Sequence, residues 1–537
     1  MENPFLLWIF RAICKNWVEL FTKTGYNGKR QKMVAVVYRT LCLRKKGVPF
    51  QYKDNGGKIM STTSQTSASQ RVAALLDDSS FVEIGGLVTA RSTDFNLQAK
   101  KTPADGVLTG YGTIEGNLVY VYSQDASVLG GSLGEMHARK IEKLYTLAMK
   151  VGAPVIGLVD CAGLRLEEAT DALTAFAKLY TCQAAASGVI PQITAVFGTC
   201  GGGMAVVPAL TDFTFMESEK AKLFVNSPNA LDGNKKENTA SAAFQSEEAG
   251  LVDATGTEEE ILGEIRTLVS VLPANNEDDM SYEECTDDLN RLCADLEASA
   301  ADPALALSMI SDNGFVFEAK KNYAKDMVTA LIRLNGNTVG VVANRTAVYD
   351  EEGNEAEKFE AVLTSRGAEK AADFIEFCDA FSIPVLTLAN VKGYKATVCE
   401  EKKIARAAAK LIYAYADATV PKISVITGAA NGTAALAMTQ GADLVYAWPD
   451  AVVGMMDAEA AARIIYADEI AAADDKAALI REKTAAYAEV TSAEAAAGRG
   501  FVDSIIAPEA TRKNVIAAFE MLFTKREDRP AKKHGTV

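Results

Sequence analysis

Two short segments pair small residues with a place that could hold a negatively charged oxygen. Thr199-Cys-Gly-Gly-Gly-Met204 follows one apolar run and precedes another, Ala205–Leu210. Glycines there let the backbone approach a ligand closely and take dihedrals closed to other residues. A helix starting at such a turn presents unpaired N–H groups and its positive dipole end. Donors of this kind hold oxyanions, and each can be worth roughly 10²–10³ in rate. Taken alone, the turn reads equally as a tight strand–helix junction with no chemistry. A second small-residue turn, Asn431-Gly432-Thr433-Ala434, occupies the same place in a repeat. Two related turns suggest two oxyanions in one reaction, with Gly202, Gly203, Thr433 and Ala434 supplying the N–H groups.

The repeat is read from proline and glycine. Pro154-Val-Ile-Gly-Leu-Val-Asp-Cys-Ala-Gly163 parallels Pro384-Val-Leu-Thr-Leu-Ala-Asn-Val-Lys-Gly393, and Pro191–Gly198 parallels Pro421–Gly428. Gly202 and Gly432 keep the same offset of 230 residues. Five matched positions in a constant register, inside matched apolar runs, mark an internal duplication. Val155–Val159 and Ile193–Phe197 suit strands buried on both faces. Between them, Leu173, Phe176, Ala177, Tyr180 and Ala184 predict one apolar helix face, as do Ile404, Leu411, Ile412 and Tyr415 in the second half. Strands alternating with helices imply an α/β protein built from βαβ units. The acidic stretch Asn275–Asp302 reads as a linker plus a surface helix.

Composition narrows the function. The 537 residues carry 55 Lys and Arg against 70 Asp and Glu, a net charge of −15, which argues against nucleic acid as a partner class. Nine cysteines without a C-x-x-C pair read as reduced thiols and a cytoplasmic setting. Two histidines, His137 and His534, argue against a histidine metal site or a Ser-His-Asp triad. No dinucleotide fingerprint or phosphate loop is present, and Ala148-Met149-Lys150 lacks the hairpin setting of a biotin attachment site.

The stretch Ser123-Gln-Asp-Ala-Ser-Val-Leu-Gly-Gly-Ser-Leu-Gly-Glu-Met-His-Ala-Arg-Lys-Ile141 resembles the hallmark of carboxyltransferase subunits of biotin-dependent acyl-CoA carboxylases and decarboxylases. Val151–Gly157, Ser187–Gln192, Pro208–Met216, Arg366-Gly367, Phe377–Pro384, Ala418–Lys422, Tyr446–Pro449 and Arg499–Asp503 resemble it too, from about Ser69 to Pro530. Propionyl-CoA carboxylase β and methylmalonyl-CoA decarboxylase α subunits are the most similar types. The resemblance implies two tandem crotonase-like (ClpP/crotonase) domains, residues 60–300 binding acyl-CoA and 301–530 binding carboxybiotin, with 531–537 as a tail. It implies a CoA thioester substrate, biotin on a separate carrier protein, and no metal bound by this subunit. Its implied partners are the biotin carboxyl carrier protein and a biotin carboxylase or a membrane decarboxylase subunit. A homo-oligomer built from dimers, up to a hexamer, is implied as well, peripheral to the membrane in the decarboxylase case. Gly202 and Gly203 would hold the thioester enolate, and Thr433 and Ala434 the biotin ureido oxyanion. Ala162, Gly163 and Arg165 would lie near CoA phosphates, and Gly393 and Gly432 near the biotin. For Arg165 a surface ion pair with Glu168 is the competing reading.

The second half departs from the family pattern. Val391-Lys-Gly-Tyr394 stands where Val-Pro-Gly-Phe is usual, and Lys395–Lys403 replaces a Gly/Pro-rich loop. Gly428-Ala-Ala-Asn-Gly-Thr-Ala-Ala435 replaces Arg-Lys-Ala-Tyr-Gly-Gly-Ala-Tyr, losing two cations and two aromatics. The Gly-Gly-Ala-x-x-His of the first half is absent around Thr239–Ala243. These departures motivate a second reading, an eroded paralogue with an assembly role. Leu436, where propionyl-CoA carboxylases often carry Asp, favours the decarboxylase type. A hydratase or hydrolase without biotin would need acids near the first turn, where Glu167 and Glu168 are the candidates.

Residues 1–59 differ in composition: 12 Lys and Arg against three acids, or +9, while the other 478 residues carry 43 against 67, or −24. The apolar run Pro4–Phe10 ends at Arg11, short of the ~20 residues that span a bilayer. A basic membrane-surface arm is one reading. The reading preferred here is that translation begins at Met60, with the purine-rich codons of Gly56-Gly57 serving the ribosome. Intact mass spectrometry of the native protein is expected to give a chain starting at or just after Met60. A mass that includes residues 1–59 contradicts this.

Overall fold

The computed structural model describes residues 66–530, apart from 92–94, 96, 232–237, 279–281 and 351, together with residues 535 and 536. The basic leader and most of the tail therefore lie outside the described residues.

Thr66 opens the described chain by capping the helix Ser67–Leu75 in a reciprocal box with Ser69. The first sheet follows. Its strands are β1 (Val82–Glu83), β2 (Val107–Ile114), β3 (Asn117–Gln124), β4 (Val155–Cys161), β5 (Gln192–Gly201), β6 (Phe213–Glu217), β7 (Lys222–Phe224) and β8 (Ala254–Gly256). They run in the order β1-β2-β3-β4-β5-β6-β8, with β7 paired to the far end of β5. The second sheet has β9 (Val316–Ala319), β10 (Met327–Leu334) and β11 (Asn337–Asn344), then, after a side hairpin of β12 (Ala347–Tyr349) and β13 (Glu355–Lys358), β14 (Val385–Val391), β15 (Lys422–Asn431), β16 (Leu444–Ala447), β17 (Val452–Gly454) and β18 (Ser504–Ile505). Its order is β9-β10-β11-β14-β15-β16-β18, with β17 on the end of β15. Both sheets begin with an antiparallel meander and continue with parallel strands. The halves are thus copies strand for strand.

The copying extends to single hydrogen bonds. β4 and β5 pair regularly as far as Val159↔Val196 and resume at Cys161↔Cys200, so Phe197, Gly198 and Thr199 stand opposite Asp160 alone. β14 and β15 do the same around Asn390, with Thr427, Gly428 and Ala429 opposite it. A bulge re-aims a strand end and needs its freed backbone groups satisfied. Asp160 Oδ1 accepts from the Thr199 N–H at 3.1 Å, and Asn390 Oδ1 accepts from the Ala429 N–H at 3.0 Å. A Cβ on Gly198 would collide with the Asp160 carboxylate, and one on Gly428 with the Asn390 amide. The matched glycines are bare because that side chain occupies the space. Beyond the bulge each strand leaves its first partner for a second: β5 passes from β6 to β7, and β15 from β16 to β17.

Buried lysines repeat as well. Lys140, in the helix Glu135–Val151, donates to the carbonyls of Ala104 and Val107. Lys370, in the helix Ser365–Ala380, donates to those of Lys320, Tyr323 and Met327. Each fastens the loop that enters the second strand of its half. Burial lowers both ammonium pKa values, to about 8 and about 7.

The helix Ala169–Ala186 buries Ala172, Ala175, Phe176, Leu179, Gln183 and Ala186. The face expected from Leu173, Ala177 and Ala184 is therefore rotated by about one residue, and Leu173 is 57% exposed. Alanines on several sides of this helix leave its periodicity ambiguous. In the second half Ile404, Leu411 and Tyr415 are buried as expected. The first strand is only two residues long, Val82–Glu83. Residues 275–302 contain one helix, Leu296–Ser299, among the described residues, and its Leu296 is buried with Cys293 beneath the second sheet. Most of this stretch is exposed, and Cys293 and Leu296 anchor it to the second sheet. The two sheets share a core in which Phe213 meets Phe377 edge-on at 5.0 Å and Phe317 at 6.1 Å.

The second half already carries an amide at the bulge, so Asp160→Asn is expected to keep thermal stability near wild type. Asp160→Leu, which strands the Thr199 N–H, is expected to cost about 1–3 kcal/mol. Thermal unfolding of both variants distinguishes these outcomes, and equal losses contradict the assignment.

Candidate active site: two turns on one scaffold

The first turn starts where β5 ends. Gly202 has φ +61° and heads a 3₁₀ segment, Gly202–Val206. A side chain there would meet nothing within 4 Å, so the residue faces open space. Gly203 rests on Tyr180, whose hydroxyl donates to the Gly203 carbonyl at 2.5 Å. No regular α-helix follows, contrary to expectation, because Pro208 starts a separate 3₁₀ turn, Pro208–Leu210. The anion-holding capacity of this turn therefore rests on local N–H groups more than on a helix dipole.

The second turn begins with the same positive φ. Gly432 has φ +64°, and a helix of eight residues, Gly432–Thr439, begins there. Thr433 is exposed and Ala434 buried. Asn431, which precedes this helix, makes no side-chain cap. Gly201, which precedes the first turn, has no side chain to cap with. No side chain therefore caps the start of either segment.

The neighbouring segments repeat too. Gly163 (φ +110°) accepts from Leu133 N–H at 2.9 Å, and Gly393 (φ +156°) accepts from Leu363 N–H at 2.9 Å. Glu168 accepts from the Glu135 N–H at 2.6 Å, and Glu400 from the Ser365 N–H at 2.7 Å. These carboxylates hold the starts of the helices Glu135–Val151 and Ser365–Ala380.

Arg165 corrects an expectation. Its guanidinium is fully buried, 2.6 Å from Asp105 and 2.8 Å from Glu168, and it donates to the Ser132 carbonyl. It is neither a phosphate ligand nor half of a surface pair. Burial raises the Asp105 carboxyl to about 6, against the pull of Arg165. The Ala162 N–H is used by the Gly130 carbonyl at 3.1 Å, and the Gly163 N–H meets the Cys161 sulfur at 3.4 Å. These donors are occupied within the protein. Lys395, the counterpart of Arg165, instead pairs with Glu360 at 2.7 Å near the surface.

The conspicuous 123–141 motif turns out to build this framework. Gln124 Oε1 accepts from the Asp160 N–H, and its amide nitrogen meets His137 Nε2 at 3.1 Å. His137 Nδ1 donates to the Asp105 carbonyl at 2.9 Å. Burial drives the His137 pKa well below its usual value, so the ring is a neutral strut. Gly131 admits the Asp160 carbonyl, and Gly134 leaves room for Arg165 and Glu168. Glu168 is committed to Arg165 and to a helix start, and Glu167 pairs with Lys100 at 3.1 Å. Neither is placed as the free acid that a hydratase or hydrolase would need. Among the described residues no group of three or more His, Cys, Asp or Glu could hold a metal ion.

Residues 62–537 match the family model described as "Carboxyl transferase domain". The chain belongs to the carboxyl transferase family. This carboxyltransferase is 39% identical over 489 residues to the methylmalonyl-CoA decarboxylase α subunit of Propionigenium modestum, covering 88% of this chain and 93% of that one. It is 40% identical, with the same coverage, to the propionyl-CoA carboxylase carboxyltransferase subunit of Haloferax mediterranei. Among solved structures, transcarboxylase 12S with methylmalonyl-coenzyme A and methylmalonic acid bound superposes with a TM-score of 0.81 at 37% identity, over 87% of this chain and 91% of that one. Both halves of the carboxyltransferase therefore have the crotonase-like fold. The sequence reading missed Asp160, Asn390, Lys140, Lys370 and Glu400. Asp160 and Asn390 were visible as matched polar residues inside matched apolar strands.

Arg165→Met leaves Asp105 and Glu168 buried without their cation and is expected to cost about 3–5 kcal/mol of stability. Thermal unfolding checks this. A variant with wild-type stability and weakened, salt-sensitive acyl-CoA affinity contradicts it.

Proposed function

We propose that the chain moves a carboxyl group between carrier-bound carboxybiotin and a short-chain acyl-CoA. In this reading residues 60–300 bind the acyl-CoA and residues 301–530 receive carboxybiotin, across the interface of a homodimer within a larger ring, up to a hexamer. The observation that carries the reading is the duplicated turn, with Gly202 and Gly432 at matching positive φ, inside a carboxyl transferase fold.

The chemistry asks for two polarised oxygens and no side-chain acid. Held at the second turn, carboxybiotin would supply the CO₂ and the base for the α-proton of the thioester. The enolate then attacks CO₂, and a decarboxylase runs the same steps in reverse. In the proposed site the N–H groups of Gly202 and Gly203 hold the enolate oxygen, and those of Thr433 and Ala434 the ureido oxygen. Gly393, with open space where its Cβ would be, and Gly432 line the biotin side. Ala162 and Gly163 act by shape, giving passage for the CoA arm.

Within this reading Leu436 favours the α subunit of a methylmalonyl-CoA-type decarboxylase over the β subunit of a propionyl-CoA carboxylase. The partners would then be a biotin carrier and a membrane decarboxylase subunit, with this subunit docked on the cytoplasmic side. No described helix is long and apolar enough to cross a membrane. An assembly-only role gains nothing from the second half, which keeps its strand order, bulge and glycine turn.

The test mixes the purified chain with carboxylated biotin carrier and propionyl-CoA, and in reverse with methylmalonyl-CoA and free carrier. Transfer is expected in both directions. Gly202→Leu, which fills space now open, is expected to lower kcat by about 10²–10³. Intact acyl-CoA binding without transfer in either direction contradicts the proposal.

A further inference from the structure

The two bulges make the same hydrogen bond but sit in different electrostatic surroundings. Arg71 lies on the helix Ser67–Leu75, four residues before its end, and this helix leads into β1. Its side chain is buried over the Phe197 ring, with the guanidinium carbon 4.9 Å from the ring centroid. Nη1 lies 3.8 Å from Asp160 Oδ2, and Nε lies 3.1 Å from Glu258 Oε1. Phe197 and Asp160 belong to the first bulge. Among the described residues neither nitrogen has an acceptor aligned for a hydrogen bond, so Arg71 acts on these carboxylates as a charge.

The second half changes the three residues together. Its corresponding helix, Pro303–Ile310, leads into β9, and Ala306 stands four residues before the helix end. Ala306 shares a small cavity with Leu388 and Thr427, which match Leu158 and Phe197 in the repeat. Ala306 therefore takes the place of Arg71. A carboxylate, a cation and an aromatic ring in one half correspond to an amide, a methyl group and a hydroxyl in the other. The bulge hydrogen bond is nonetheless alike, at 3.1 Å from Thr199 and 3.0 Å from Ala429. That bond needs no cation beside it, so the cation goes with the charge of Asp160.

The charge matters because of where it lies. Thr199, on which Asp160 rests, is followed three residues later by Gly202. Strand rise makes that roughly 10 Å. An uncompensated negative charge at this range opposes a negative oxygen forming at the first turn by about tenfold in rate. Glu258 is the outer partner, 43% exposed against 19% for Asp160, so water screens it more. Resting on the proposed carboxyl transfer, we propose that Arg71 is a positioning residue for the first turn. It cancels the charge of Asp160, which then holds the bulge without opposing the thioester oxyanion. The second half reaches the same end by replacing the carboxylate with an amide.

The test is a double-mutant cycle in the full chain with Arg71→Met and Asp160→Asn. It is read by kcat and KM for transfer from methylmalonyl-CoA to the biotin carrier, and by the carbonyl stretch of bound acyl-CoA. Arg71→Met is expected to lower kcat about tenfold with little change in KM, and to shrink the carbonyl shift. In the Asp160→Asn background the same substitution is expected to change neither. Arg71→Lys, which keeps the charge, is expected to retain most of the wild-type kcat. Arg71→Gln, which stays polar and loses the charge, is expected to behave as Arg71→Met does, so the cycle stands on either variant if one fails to fold. Equal losses in both backgrounds mark a packing role and overturn the inference. So does wild-type kcat in Arg71→Met. A wild-type chain that transfers no carboxyl group, yet shows a carbonyl shift that depends on Arg71 only in the presence of Asp160, supports the inference and overturns the proposed reaction instead.

Discussion

The hydrogen bond from a bulged strand to one side chain on its neighbour organises both halves of the protein. Asp160 receives the Thr199 N–H, and Asn390 receives that of Ala429. Without this acceptor, three residues facing one would leave a buried donor unpaired, which is costly in a parallel sheet covered on both faces. With it, the strand end can leave the sheet plane, pair with a new short strand and present its next residues as an open turn. Gly198 and Gly428 follow from this bond, because their missing side chains are where the acceptor sits.

Around that bond lies a second layer of buried polar groups. The Asp105–Arg165–Glu168 cluster, the Gln124–His137 strut and the two carbonyl-bound lysines are each nearly saturated by partners within the chain. Such networks favour one arrangement because a misplaced member strands a charge or a dipole. Rigid surroundings of this kind suit a site whose donors must stand ready before charge develops. The two halves share this design and differ at their edges, where Arg165 in the interior becomes Lys395 near the surface, and Phe224 becomes Gly454.

Much of this was legible in the residues. Constant spacing of Pro154 and Pro384, and of Gly202 and Gly432, revealed the duplication, since only backbone geometry forces those residue types into register. The motif at 123–141 pointed to the family, although its glycines and histidine prove to be framework. Arg165 was misread because sequence gives an arginine's charge and not its burial; its two acidic partners lie 60 residues before it and three after it. The buried face of Ala169–Ala186 was displaced because alanine suits either side of a helix. The capping role of Glu168, and Glu400 altogether, escaped notice because a cap supplied from a distant segment leaves no local pattern.

The central claim is that the first turn holds the thioester oxygen by backbone N–H groups of Gly202 and Gly203. Infrared difference spectroscopy with acyl-CoA labelled at the thioester carbonyl reads that interaction directly. The account predicts that the carbonyl stretch moves to lower frequency on binding the wild-type chain, and that Gly202→Leu abolishes the shift. A carbonyl stretch unchanged between free and bound acyl-CoA would contradict it.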